Sequence, residues 1–120
     1  MTNKAKGLFI HTADMVVHHP ESEEDYAWLC GTPEVLTIVD YSATWCGPCK
    51  FMAPVFEELS QRYPEAVFVH VDIDALDQLA DVQDVRGVPT FKFFRNGELL
   101  HKFSGASPQT LQDTVKQLLG

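Results

Sequence analysis

Residues 43–50, ATWCGPCK, hold two cysteines two positions apart, behind a tryptophan and around a Gly-Pro pair. The preceding stretch, EVLTIVDYSA (34–43), is a near-continuous apolar run rich in β-branched residues. Such a run predicts a strand covered on both faces, and hence a sheet with helices on either side. From the cysteines onward, CGPCKFMAPVFEELSQRY places Phe51, Val55, Phe56, Leu59 and Tyr63 at three- and four-residue steps, which predicts a long helix. Pro54 lies within it and is expected to kink it. The cysteines therefore sit where a buried strand hands over to a helix. Cys46 falls at the helix N-terminus, where free N–H groups and the helix dipole favour the thiolate. Cys49 lies one turn later on the same side and is expected to be deeper. Gly47 permits close approach, and Pro48 occupies a first-turn position where no N–H is needed.

Such a pair can hold a metal, staple a loop or exchange electrons. A structural zinc needs four protein ligands, and one CxxC supplies two. Cys30 is 16 residues upstream on a different predicted helix, and His18 and His19 are strand neighbours pointing to opposite faces. No second CxxC, CxxH or HxxxH is present, so no metal site is expected. As a permanent staple the pair would close a tiny loop and constrain the unfolded chain little. Two sulfurs that close a small ring and reopen it suit a two-electron carrier.

Outward from the motif, the 120 residues fit one domain with a core of its own. Patterning begins near Asp14, so residues 1–13 are expected to be an extension and residues 14–120 the domain. DMVVH predicts a first strand. ESEEDYAWLCG predicts a helix capped by Ser22 and stopped at Gly31, with Tyr26, Leu29 and Cys30 on one face. AVFVHVDID (66–74) predicts a strand, 77–83 a short helix and DVRGVPT a loop. FKFFR and LLHKF flank NGE, a hairpin signal. SGASPQTLQDTVKQLLG predicts a closing helix with Ser107 as cap and Leu111, Val115, Leu118 and Leu119 as its apolar stripe. The order β-α-β-α-β-α-β-β-α gives an α/β fold, a mixed sheet covered by helices on both faces.

A net charge of −8 argues against nucleic acid and anionic membrane partners. No run of 18 apolar residues exists. The N-terminal segment carries two lysines but only a three-residue apolar run, Leu8 to Ile10, short for a secretory signal. The expected location is cytoplasmic.

VDYSATWCGPCK resembles the active-site segment of thioredoxins almost residue for residue. RGVPT is similar to that family's cis-proline loop, SGA to its glycine after the last strand, and Pro54 to its helix proline. The resemblance covers the chain from about Asp14 to Gly120. It implies the thioredoxin fold, a central mixed five-stranded sheet flanked by four helices. It also implies a protein disulfide reductase in which Cys46 attacks client disulfides, Cys49 resolves the mixed disulfide, and Cys46–Cys49 is the oxidised form. Asp40, an acid within an apolar strand, would have a raised pKa and help deprotonate Cys49. Pro89 would be cis and would present Val88 to an extended client. Trp45, Gly87, Gly105 and Ala106 would complete a flat docking face, and Gly47 and Pro48 would tune the potential toward reduction. Implied partners are peroxiredoxins, methionine sulfoxide reductases, ribonucleotide reductase and an NADPH-dependent thioredoxin reductase. The protein would need no bound cofactor and would be a monomer. The second function compatible with the same face is a thioredoxin-fold subunit that clamps a partner non-covalently. His70 reads as a solvent-facing strand residue and Cys30 as a small core residue.

Overall fold

The computed structural model describes residues 17–120. The expected extension, residues 1–13, and the start of the first predicted strand lie outside the described residues. The elements run β1 (Val17–His18), α1 (Glu23–Cys30), β2 (Thr37–Ser42), α2 (Gly47–Arg62), β3 (Val67–Asp72), α3 (Ala80–Gln83), β4 (Thr90–Arg95), β5 (Glu98–Ser104) and α4 (Pro108–Leu119). Both the order and the element types agree with the sequence pattern. The five strands form one mixed sheet in the order β1-β3-β2-β4-β5. β1 and β2 run parallel to β3, while β4 is antiparallel to β2 and to β5.

β2 is the central strand, and all six of its residues are buried. Its side chains alternate between two cores, as a two-layered covering demands. Ile38 joins Phe68, Phe91 and Phe93 beneath Met52, Phe56 and Leu59 of α2 and Leu111 and Val115 of α4. Val39 and Tyr41 join Val69 and Val71 on the opposite face, under Tyr26 and Leu29 of α1 and Leu76, Leu79 and Val82.

Local chemistry explains the boundaries. Ser22 caps α1, its hydroxyl accepting from the Asp25 N–H at 3.0 Å. Ser107 caps α4 in the same way, with Pro108 in the first turn. The loop between β4 and β5 is Asn96-Gly97, with φ of 55° and 78°, the left-handed pair that a two-residue hairpin of this twist requires. The helix expected over 77–83 shortens to α3. Before it, Ala75 and Leu76 N–H groups bond back to the Asp72 carbonyl as turns, because the spacing of Leu76, Leu79 and Val82 already turns all three inward. A second correction concerns α2: Phe51 is 59% exposed, and Met52 fills the core in its place. One residue's rotation about a helix is about 100°, enough to exchange an inward position for an outward one.

Lys92 in β4 is only 3% exposed. Its Nζ donates to Asp84 Oδ1 at 2.7 Å and to the Asp81 carbonyl at 2.8 Å, and lies 5.1 Å from the centre of the Tyr41 ring. The ammonium thereby ties the end of α3 and the following loop to the sheet. Because Asp84 itself is 58% exposed, the two halves of the pair respond differently to removal. Asp84→Ala strands a buried cation and should lower stability by about 2 kcal/mol. Lys92→Met leaves a solvated carboxylate and should cost less than about 1 kcal/mol, as read from urea denaturation of both variants.

Candidate active site

Cys46 is the N-cap of α2, in extended conformation (φ −95°, ψ 114°), and Gly47 and Pro48 form the first turn. Its Sγ accepts a hydrogen bond from the Cys49 N–H at 3.1 Å, so the sulfur stands where a capping oxygen ordinarily stands. No acidic side chain occupies the first turn of α2. The positive end of the dipole is therefore left to the sulfur, which favours a thiolate there when the pair is reduced. In the structure Cys46 and Cys49 are joined as a disulfide, with Cα atoms 5.3 Å apart. The two residues are buried alike, at 4% and 5% exposure, instead of Cys49 lying deeper. Both lie under the same cover of Val88 and Ile73.

Val88 belongs to the loop that faces the sulfurs. Its carbonyl oxygen lies 3.7 Å from Cys46 Sγ, and the Val88–Pro89 peptide is cis. Gly87 is exposed and Pro89 buried. The Thr90 hydroxyl donates to the Gly87 carbonyl, and the Gly105 N–H donates to the Pro89 carbonyl at 2.9 Å. Gly105 has φ of 118°, a conformation open to glycine and poor for other residues, and Ala106 beside it is exposed. The structure thus brings Cys46, Cys49, Val88, Pro89 and Gly105 into one connected site. Trp45 is 67% exposed, and its indole N–H donates to Asp74 Oδ2 at 2.9 Å. With Phe51 one turn into α2, it gives the motif large exposed aromatic neighbours on both sides in sequence.

Asp40 is 1% exposed. Burial pushes its carboxyl up to about 7, against the opposing effect of the Ser42 hydroxyl, which donates to Oδ1 at 2.6 Å. Ser42 also lines a cleft of about 160 Å³ shared with Cys49, Lys50, His70 and Asp72. Ser42 thus bonds the buried acid directly and shares this cleft with the second cysteine. His70, expected to face solvent, is half-buried in the cleft wall with its ring 5.1 Å from that of His19, the residue that follows β1 where β1 runs beside β3.

Ser42 and Asp74 escaped the sequence reading. Two-residue spacing in a strand puts Ser42 on the face of Asp40, and that signal was available. Nothing local marks Asp74, which lies 29 residues from Trp45. Cys30 is half-buried beside Tyr26, where burial pushes its thiol up to about 11, and it is chemically quiet there.

A cysteine pair at a strand-to-helix junction, one sulfur capping the helix and a titratable buried acid beneath, defines a thiol–disulfide oxidoreductase. The comparisons agree. The family model described as Thioredoxin matches residues 17–117. Thioredoxin of Sus scrofa is 42% identical over 100 residues, covering 81% of this chain and 95% of the relative. Thioredoxin of Ophiophagus hannah is 43% identical over 84 residues, covering 70% of this chain and 80% of the relative. The crystal structure of a poplar thioredoxin h mutant superposes with a TM-score of 0.82 at 30% identity, over 90% of this chain and 86% of that one. The chain belongs to the thioredoxin family, and its activity is dithiol–disulfide exchange at Cys46 and Cys49.

The raised Asp40 has a signed consequence for stability. Its folded value of about 7 lies above the ordinary carboxylate value near 4. The folded state thus holds a proton that the unfolded state gives up, and stability falls as pH rises from about 4 to 7. The difference amounts to about 4 kcal/mol at pH 8. Asp40→Asn, which carries no charge at any pH, should be more stable than the parent at pH 8 by up to about that amount. The gain should vanish near pH 4, as measured by urea denaturation at several pH values.

Proposed function

We propose that residues 14–120 act as a cytoplasmic, monomeric disulfide reductant of other proteins, with Cys46 as nucleophile and Cys49 as resolving thiol. The Cys46 thiolate attacks one sulfur of a client disulfide. The client S–S bond breaks, a Cys46–client disulfide forms, and the departing client thiolate takes a proton. Cys49, deprotonated with the help of Asp40 by way of Ser42 and the neighbouring cleft, then attacks Cys46 Sγ. The second client thiol leaves, two electrons have passed to the client, and Cys46–Cys49 is oxidised. The observation that carries this assignment of roles is the cap: Cys46 Sγ receives the Cys49 N–H, whereas Cys49 is a donor inside the first turn.

Trp45, Gly87, Val88, Gly105 and Ala106 form the client face in this reading, and Gly47 and Pro48 set the potential on the reducing side. Clients are the proteins whose cycles end in a disulfide: peroxiredoxins, methionine sulfoxide reductases and ribonucleotide reductase. An NADPH-dependent thioredoxin reductase restores the dithiol. Trapping tests the roles. Cys49→Ser should accumulate covalent client adducts that reductant releases, while Cys46→Ser and the double variant accumulate none. A single partner retained equally by the double variant would instead mark a non-covalent clamp. With a peptide disulfide at pH 7, Asp40→Asn should slow the resolving step at least tenfold while leaving the initial attack within about twofold, as followed by quenched-flow mass spectrometry.

A further inference from the structure

A second cleft, of about 200 Å³, opens beside the Gly87–Pro89 loop. Arg86, Lys92 and Lys102 line it, together with Asp84, Thr90 and Ser104. Leaving aside Lys4 and Lys6, which lie outside the described residues, the chain has seven Lys and Arg, and three of them meet here. On a chain of net charge −8 this is a local concentration of positive charge. The one acid in the cleft does not cancel it. Asp84 is matched by Lys92 at 2.7 Å, and the Lys92 hydrogen bond, with a further contribution from Lys102, holds its carboxyl below the ordinary range. Arg86 and Lys102 have no ion-pair partner of their own among the described residues. Both are exposed. The Thr90 and Ser104 hydroxyls add no donor for an anion: the Thr90 proton goes to the Gly87 carbonyl and the Ser104 proton to Thr90 Oγ1, 2.8 Å away, so the charges of Arg86 and Lys102 carry the recognition.

The placement gives the charge its meaning. Thr90 directly follows Pro89, and Ser104 directly precedes Gly105, so the cleft borders the client face. A client strand extended along Val88 advances about 3.3 Å per residue, so a side chain a few residues from its cysteine reaches past the loop. We propose that this cleft is a specificity subsite that receives an aspartate or glutamate of the client protein near its disulfide. The proposal rests on the assignment of that client face. The acidic remainder of the surface repels carboxylates elsewhere. The subsite therefore selects the position of the acid, and clients acidic throughout gain nothing from it.

The test uses cyclic disulfide peptides carrying one glutamate or one glutamine at each of the four positions either side of the reacting cysteine. The parent should reduce the best glutamate peptide about fivefold faster in kcat/KM than its glutamine twin, a ratio in keeping with two exposed ion pairs. In R86Q/K102Q that ratio should fall below about twofold, and 0.5 M salt should shrink it in the parent. Both substituted positions are exposed, so folding is not at stake. Equal rates for every twin pair, or a preference that survives in R86Q/K102Q, would overturn the subsite. A binding arm separates this from the exchange chemistry: Kd values for the same peptides are measured on Cys46→Ser/Cys49→Ser. Should the parent reduce none of the peptides, the oxidoreductase reading falls, and the Kd ratio alone decides the cleft. Tighter glutamate binding supports it, and equal binding overturns it.

Discussion

Everything in the site is placed by the burial of β2. A six-residue strand with no exposed side chain can exist only where both faces are covered, so helices must lie above and below it. The same burial fixes where α2 begins. At Ser42 the chain leaves the sheet, and four residues later it enters α2 with Cys46 as cap. The sulfur is held by neighbours of two origins: the Cys49 N–H from the helix and, from the loop before β4, the carbonyl and the apolar side chain of Val88. Because β4 pairs antiparallel with β2, with Thr90 opposite Tyr41, the loop that precedes β4 must end close to the point where β2 ends. The proximity of Val88 to Cys46 is thus a result of strand order, although 42 residues separate them.

Much of this was legible in the chain. Apolar β-branched runs, the Asn-Gly hairpin signal and three- and four-residue steps gave the element order, and the cap residues gave helix starts, because those signals are local. The cysteine pair was legible for the same reason: its chemistry depends on a strand, a turn and a helix contiguous in sequence. Three features were not. Phe51 and Met52 are adjacent and both apolar, and composition does not say which of two neighbours turns inward. His70 meets His19, which follows a strand of only two residues, Val17–His18, whose register on β3 no periodicity reveals. Lys92 sits in FKFFR as a polar residue in a strand pattern, and its buried ion pair depends on where α3 ends. Each miss involves a contact between elements distant in sequence.

Asp40 and Lys92 show how one sheet treats two buried charges. They lie on neighbouring strands and on opposite faces, Asp40 on the α2 side and Lys92 on the α1 side. Lys92 has a carboxylate, a carbonyl and an aromatic face around its ammonium. Its desolvation is answered where it stands, and its role is to hold α3 and the loop beyond it. Asp40 has one hydroxyl. A single neutral donor does not offset the loss of water around a carboxylate, so the acid keeps its proton to about pH 7. A group that exchanges its proton near neutrality can take one from a thiol and return it, whereas a fully paired charge cannot without breaking its pair. The destabilising choice at position 40 is therefore the one able to exchange a proton near neutrality. The same contrast extends to the cleft beside the Gly87–Pro89 loop: Lys92 meets Asp84 at 2.7 Å, while Arg86 and Lys102 are in no ion pair among the described residues, at the border of the proposed client face.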